Sequence, residues 1–153
     1  MNTDESIRFA TKYLEDLLSF FGINVAVYST IEDDVIQLSI PSTSMNSLLI
    51  GKNANNLRAL QHIVMMTLVA REAEITRVNI DIADYKRQRA DKIEHQAERW
   101  IDEVRRTGKE KVLDLNAADR RTVHRFASDY SDIETYSEGE GAERRLHIAK
   151  KAE

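Results

Sequence analysis

A single glycine, Gly51, separates two stretches of helical apolar spacing in LLIGKNANNLRALQHIV, residues 48–64. On its near side Met45, Leu48, Leu49 and Ile50 fit one or two helical turns, and beyond it Leu57, Leu60, Val64, Thr67 and Leu68 form a second buried stripe. Two helices that meet across so short a break, Gly51 to Asn56, make a tight junction that the rest of the chain has to accommodate. The first amides of a helix lack internal partners and sit at the positive end of its dipole, so a phosphate binds there when the backbone is approachable. Gly51 removes the obstructing side chain, Lys52 adds a mobile positive charge, and Asn53 follows. The competing reading is that Gly51 only permits the turn, with the asparagines as caps.

The elements around the junction can be read from periodicity. Ile7, Ala10, Leu14, Leu17, Leu18 and Phe21 recur at helical spacing, with Asn2 or Thr3 able to cap the start and Gly22 placed to end the helix. Residues 23–31 and 35–40 are rich in branched side chains and flank Asp33-Asp34, which predicts a hairpin ended by the only proline, Pro41. Val78, Ile80 and Ile82 alternate with polar residues, as in a half-buried strand. Helix, strand, strand, helix, helix, strand is a three-stranded sheet with helices on one face, complete by about residue 83.

A long helix is predicted from Asp84 to about Arg106, with Ile93, Ala97, Trp100, Ile101 and Val104 on its apolar side and Lys86, Arg87, Arg89 and Lys92 near its start. Thr107-Gly108-Lys109 ends it. After the short segment KVLDL, Asn116 and Asp119 resemble a capping box for a helix through Tyr130. The last residues read as two strands around a Ser/Gly/Glu-rich turn. The fold class expected is α+β, with two small domains, each a three-stranded sheet packed against helices, bridged by the long helix.

Charge shows where a polyanion would touch. The net charge of -4 argues against coating nucleic acid by bulk charge, yet residues 84–125 carry 12 Lys+Arg against 9 Asp+Glu, while both flanking parts are acidic. Within that stretch Arg120 and His124 are four apart and share a helical face, and Arg121 and Arg125 form the neighbouring column. Arginine forks onto phosphate oxygens, and histidine donates or stacks. The alternative is a solvated face whose arginines pair with acids such as Asp119 or Glu143.

The element order together with the Gly51-Lys52-Asn53-Ala54 loop resembles a KH domain of the bacterial, type II arrangement, whose Gly-x-x-Gly loop clamps a single-stranded backbone. Ala54 stands where the second glycine would be, which hinders close approach or a positive dihedral there. DRRTVHRFASDYSDIETYSEGEGAERRLHI resembles the R-three-H domain, with Arg120 and His124 as its arginine and histidine. A KH-like domain over 1–83, followed over 84–153 by the bridging helix and an R-three-H domain, resembles the Jag family of bacterial RNA-binding proteins. The N-terminal Jag domain and linker that many members carry are not found in these 153 residues, so no membrane or division role attached to that part is expected. The resemblance implies a non-catalytic binder of single-stranded RNA, and of single-stranded DNA as a further ligand, serving as a post-transcriptional regulator or RNA chaperone. Gly51, Lys52 and Asn53 would hold backbone while Ile50 and Leu57 accept bases. Arg120, His124, Arg121 and Arg125 would engage phosphates, and Lys86, Arg87 and Arg89 would extend the track.

Other readings have less behind them. The four histidines, His62, His95, His124 and His147, lie on separate elements without ligand spacing, and Asp81 and Asp84 are better read as a strand face and a helix cap than as a metal site, so neither a cofactor nor nuclease chemistry is expected. The Trp100, Ile101 and Val104 stripe suits an interdomain core better than a partner helix. A ribosome-associated or assembly adaptor with a degenerate loop is the alternative function, and a second KH protein or a second copy the alternative partner. Without cysteines, a basic leader or a long apolar run, the expected location is the cytoplasm, with no membrane segment.

Overall fold

The computed structural model describes residues 1–152, which divide into two compact units, Met1–Lys86 and the chain from Arg87 onward. The first unit begins with α1 (Thr3–Phe20). Its start is held by a reciprocal cap in which Asn2 Oδ1 accepts from the Glu5 amide and Glu5 Oε2 accepts from the Asn2 amide, each at 2.9 Å. Strands β1 (Tyr28–Glu32) and β2 (Val35–Ile40) form the expected hairpin, and Asp33 and Asp34 both take positive φ at its turn, as a two-residue hairpin loop requires. The first strand is shorter than residues 23–31 because its ladder runs only from Tyr28 opposite Ser39 to Glu32 opposite Val35. Ile23 and Val27 are still buried, but outside the ladder.

The chain then forms α2 (Asn46–Ile50), a single 3-10 turn (Lys52–Ala54), α3 (Asn55–Ala70) and β3 (Val78–Ile82). Strand β3 lies parallel to β2, with Ile36, Leu38 and Ile40 opposite Val78, Ile80 and Ile82. These six side chains point to one face and, with Ala10, Leu14 and Leu18 of α1 and Leu57, Leu60, Val64 and Leu68 of α3, make the first core. The parallel crossover is what places α2, the glycine junction and α3 between two neighbouring strands.

In the second unit α4 (Tyr85–Thr107), which starts at the end of the first, supplies Ile93, Ala97, Ile101 and Val104 to a core shared with Val123, Ala127, Ile133, Leu146 and Ile148. The stripe expected between domains therefore belongs to this unit's own core, with Trp100 packed at its margin. KVLDL contributes β4 (Lys111–Leu113), followed by α5 (Ala117–Ala127), β5 (Ile133–Glu138) and β6 (Arg145–Lys150). The antiparallel order is β4-β6-β5. Helix α5 stops before Tyr130, whose amide bonds back to Ala127 O at 3.0 Å.

Candidate nucleic-acid interface

The glycine junction is a strained loop with an open helix start. Gly51 has φ +74°, and a Cβ there would lie 2.7 Å from Asn56 Cγ. Asn56 is held in that position because its Nδ2 donates to Leu48 O at 2.7 Å, satisfying a carbonyl at the end of α2. Asn53 and Ala54 both take left-handed backbone, φ +54° and +59°, so the alanine adopts the dihedral that its Cβ disfavours. No side chain caps α3, whose first amide, that of Asn55, donates to Lys52 O, and the Lys52 side chain is exposed. Among the described residues Lys52 has no ion-pair partner.

The structure separates the apolar residues assigned to this loop. Ile50 is partly buried against the core, but Leu57 is only 2% exposed and has no surface to offer a base. Spacing alone places Leu57 on the buried stripe of α3, and it is the base-accepting role implied by the resemblance that its burial rules out. The exposed apolar side chains nearby are Leu48, Ile63 and Phe21, which with Leu49, Asn56, Ala59 and Leu60 line an open groove of about 250 Å³.

On the second unit, α5 and β5 build the Arg120–His124 pair together. Arg120 Nη1 donates to Leu115 O at 2.6 Å, fixing the guanidinium at the helix start. His124 Nδ1 lies 2.7 Å from Thr135 Oγ1 and Nε2 lies 3.0 Å from Ser137 Oγ. Thr135 and Ser137 alternate along β5 toward the helix side, so both ring nitrogens are engaged by hydroxyls that donate or accept as needed. Burial, then the positive charges of Arg120 and Arg144, hold the His124 pKa below the usual histidine range. That direction favours the neutral imidazole at pH 7, so the arginines carry the positive charge of the pair. Arg121 and Arg125 are exposed, with no ion-pair partner among the described residues.

Several basic residues have structural partners instead. Asp119, buried, is bound by Arg89, Nη2 to Oδ2 at 2.9 Å and Nε to Oδ1 at 3.4 Å. The Asn116 side chain caps α5 by accepting from the Asp119 amide at 2.9 Å, but the Asp119 carboxylate faces Arg89 and closes no capping box. Lys86 Nζ donates to Gln61 Oε1 at 3.2 Å and to Asn79 Oδ1, so of the predicted track only Arg87 stays exposed without an ion-pair or hydrogen-bond partner among the described residues. Asp81 Oδ1 accepts from the Ile82 and Lys86 amides at 2.9 and 3.1 Å, and no group of three or more potential metal ligands occurs among the described residues. No helix among them is long and apolar enough to cross a membrane. Sequence patterns do not reveal Thr135, Ser137 and Arg144 as neighbours of His124, because hairpin register brings them there and no local spacing marks it.

Comparison with known proteins finds a matching family model and several relatives. The model of the R-three-H domain family matches residues 91–150. The chain is 31% identical over 108 residues to the RNA-binding protein KhpB of Lactiplantibacillus plantarum, an alignment that covers 70% of this chain and 34% of that protein. It is 32% identical over 108 residues to the KhpB of Bacillus subtilis, covering 69% and 52%, and 27% identical over 149 residues to that of Clostridium symbiosum, covering 94% and 66%. The chain therefore spans between about a third and two thirds of the length of these relatives.

Proposed function

Since the chain belongs to the Jag family, that of the KhpB proteins, and carries an R-three-H domain, we propose that it binds single-stranded nucleic acid, chiefly RNA, and acts by binding without catalysis. The observation that carries this reading is the Arg120–His124 pair, a guanidinium and a neutral imidazole both fixed by the fold, beside two exposed arginines that no acid among the described residues neutralises. Fixed guanidinium groups match phosphate geometry, and their side-chain entropy is already spent before the ligand arrives. In the first unit, KH-like in its element order, the amides after Gly51 and the Lys52 ammonium hold a second stretch of backbone, with Asn53 at the loop tip and Ile50 as apolar edge. Single-stranded DNA is a weaker ligand of the same sites. The cellular role this fits is a cytoplasmic post-transcriptional regulator or RNA chaperone, with the domain boundary near residue 83.

Fluorescence anisotropy with short single-stranded RNA, single-stranded DNA and duplex RNA across a salt series tests this. Neutralising about three phosphates gives a log-log slope near -2 for a single strand. A flat salt response, or equal affinity for duplex, would sink the reading.

A second reading rests on the groove lined by Phe21, Leu48 and Ile63, an exposed apolar surface of the kind that meets protein partners. A second copy of the chain or another KH-like protein is its natural occupant. Sedimentation velocity of the protein and of Ile63→Glu separates this adaptor role from RNA binding.

A further inference from the structure

The ladder between β5 and β6 pairs Ser137 with Leu146 and Glu138 with Arg145, so the next position outward sets Gly139 opposite Arg144. Side chains alternate along strands, which puts Arg144 on the face of Leu146, Thr135 and Ser137, the face that α5 covers. Arg145 points to the other face, where its Nη1 lies 3.4 Å from Asp114 Oδ1. Arg144 has no carboxylate partner among the described residues. Its Nη1 instead donates to Gly139 O at 2.8 Å, folding the guanidinium back over the hairpin mouth. That mouth closes only around a glycine: Gly139 has φ +95°, and a Cβ there would lie 2.9 Å from Glu143 O and 3.2 Å from Arg144 Cα.

Two guanidinium groups therefore approach one imidazole, Arg120 from a turn earlier on α5 and Arg144 from the hairpin. Each is tied by one N–H to a backbone carbonyl, Leu115 or Gly139, with donors to spare. His124, held by Thr135 and Ser137, feels both positive charges, and as a neutral ring it adds nothing to their repulsion. A monoanionic phosphodiester is the ligand that relieves that repulsion and takes forked donors from both sides.

We propose that Arg144 is a further nucleic-acid-binding residue: with Arg120 and His124 it seats one backbone phosphate of a single strand, and Gly139 positions it to do so. The assignment rests on the single-strand-binding reading above. Its test is the affinity of the full chain for a labelled single-stranded RNA across a salt series, with Arg144→Ala, Arg144→Lys, Arg145→Ala and Gly139→Ala. Arg144→Ala is expected to weaken binding about tenfold and to reduce the magnitude of the log-log slope by about 0.7, the contribution of one phosphate. Arg144→Lys should keep the slope, Arg145→Ala should leave it unchanged, and Gly139→Ala should reproduce part of the loss. Without RNA, the ring titration of His124 followed by NMR should move upward in Arg144→Ala, since a neighbouring cation has gone. Wild-type slope and affinity in Arg144→Ala alongside losses in Arg120→Ala would overturn the assignment, as would an unmoved His124 titration. A flat salt response of the wild type overturns the binding reading, and this one with it, whatever the variants do.

Discussion

Arg89 closes on Asp119 across the second unit, from the first turns of α4 to the first turn of α5, with the carboxylate buried and the guanidinium about a third exposed. The charge is thereby used inside the fold. Arg89→Ala leaves a buried carboxylate short of its main donor and should lower stability by about 2 kcal/mol, below the cost of breaking a fully buried pair because Arg89 is partly solvated. Chemical denaturation should show that loss, while the salt slope of RNA binding stays at the wild-type value. A reduced slope with unchanged stability would return Arg89 to the binding surface.

Gly51→Ala meets two costs at once, a positive φ and a methyl 2.7 Å from Asn56 Cγ. The side chain of Asn56 has to move and gives up its bond to Leu48 O. The expected destabilisation is about 2 to 3 kcal/mol, from the left-handed backbone and one lost hydrogen bond. Asn56→Ala alone should cost about 1 kcal/mol. If both variants unfold at the wild-type denaturant concentration, the junction is looser than its Asn56–Leu48 contact implies.

Ala54→Gly relieves about 1 to 2 kcal/mol of left-handed strain but gives back about 0.5 to 1 in backbone entropy and loses a nearly buried methyl, so stability should change by less than about 1 kcal/mol. The larger effect is on access to the α3 amides. Affinity for single-stranded RNA should rise severalfold, measurable by anisotropy, and an unchanged affinity would mean that the Ala54 methyl does not obstruct the backbone.

The depressed pKa of His124 links pH to stability. The unfolded chain protonates this histidine near pH 6.5, whereas the folded chain resists until lower pH, so the unfolded state binds more protons between the two values. Stability from this group is complete above about pH 6.5 and falls as the pH drops through that window toward the folded pKa. His124→Gln should flatten the response, so the difference in Tm between about pH 7.5 and about pH 5.5 should be smaller in the variant than in the wild type. An identical difference would show that other groups carry the acid sensitivity.

On the sheet face away from the helices, Tyr136 stacks on His147 with ring centroids 4.7 Å apart and donates to Glu110, whose carboxylate, with those of Glu138 and Glu134, pushes the phenol up to about 12. This acidic face repels phosphate, so Tyr136→Ala should leave single-stranded RNA affinity within about twofold of wild type, because the surrounding carboxylates keep the backbone away from any stacking platform there. A tenfold loss would place RNA on the wrong side of the sheet.

The order of elements is legible in the sequence because each depends on local rules. The Ile7 to Leu18 stripe, the Asp33-Asp34 turn between branched runs and the 78–82 alternation each state a period or a turn chemistry that neighbouring residues suffice to determine. The Arg120/His124 spacing belongs to the same class, since one helical turn brings the two side chains together. What lay beyond the sequence was which charges stay available. Arg89, Lys86, Arg121 and Arg125 look alike as a set of basic residues, yet the first two are consumed by Asp119, Gln61 and Asn79 and the last two are not. Leu57 of α3 is buried in the core, whereas Ile50 at the end of α2 is only partly buried against it. Whether His124 is charged, and that Arg144 accompanies it, depends on the register of a hairpin formed far along the chain. The sequence by itself determined the periodic elements, because those are settled by contacts a few residues apart. Only the tertiary structure decided the partners of each polar side chain, because desolvation and hydrogen bonding depend on groups that are neighbours in space alone.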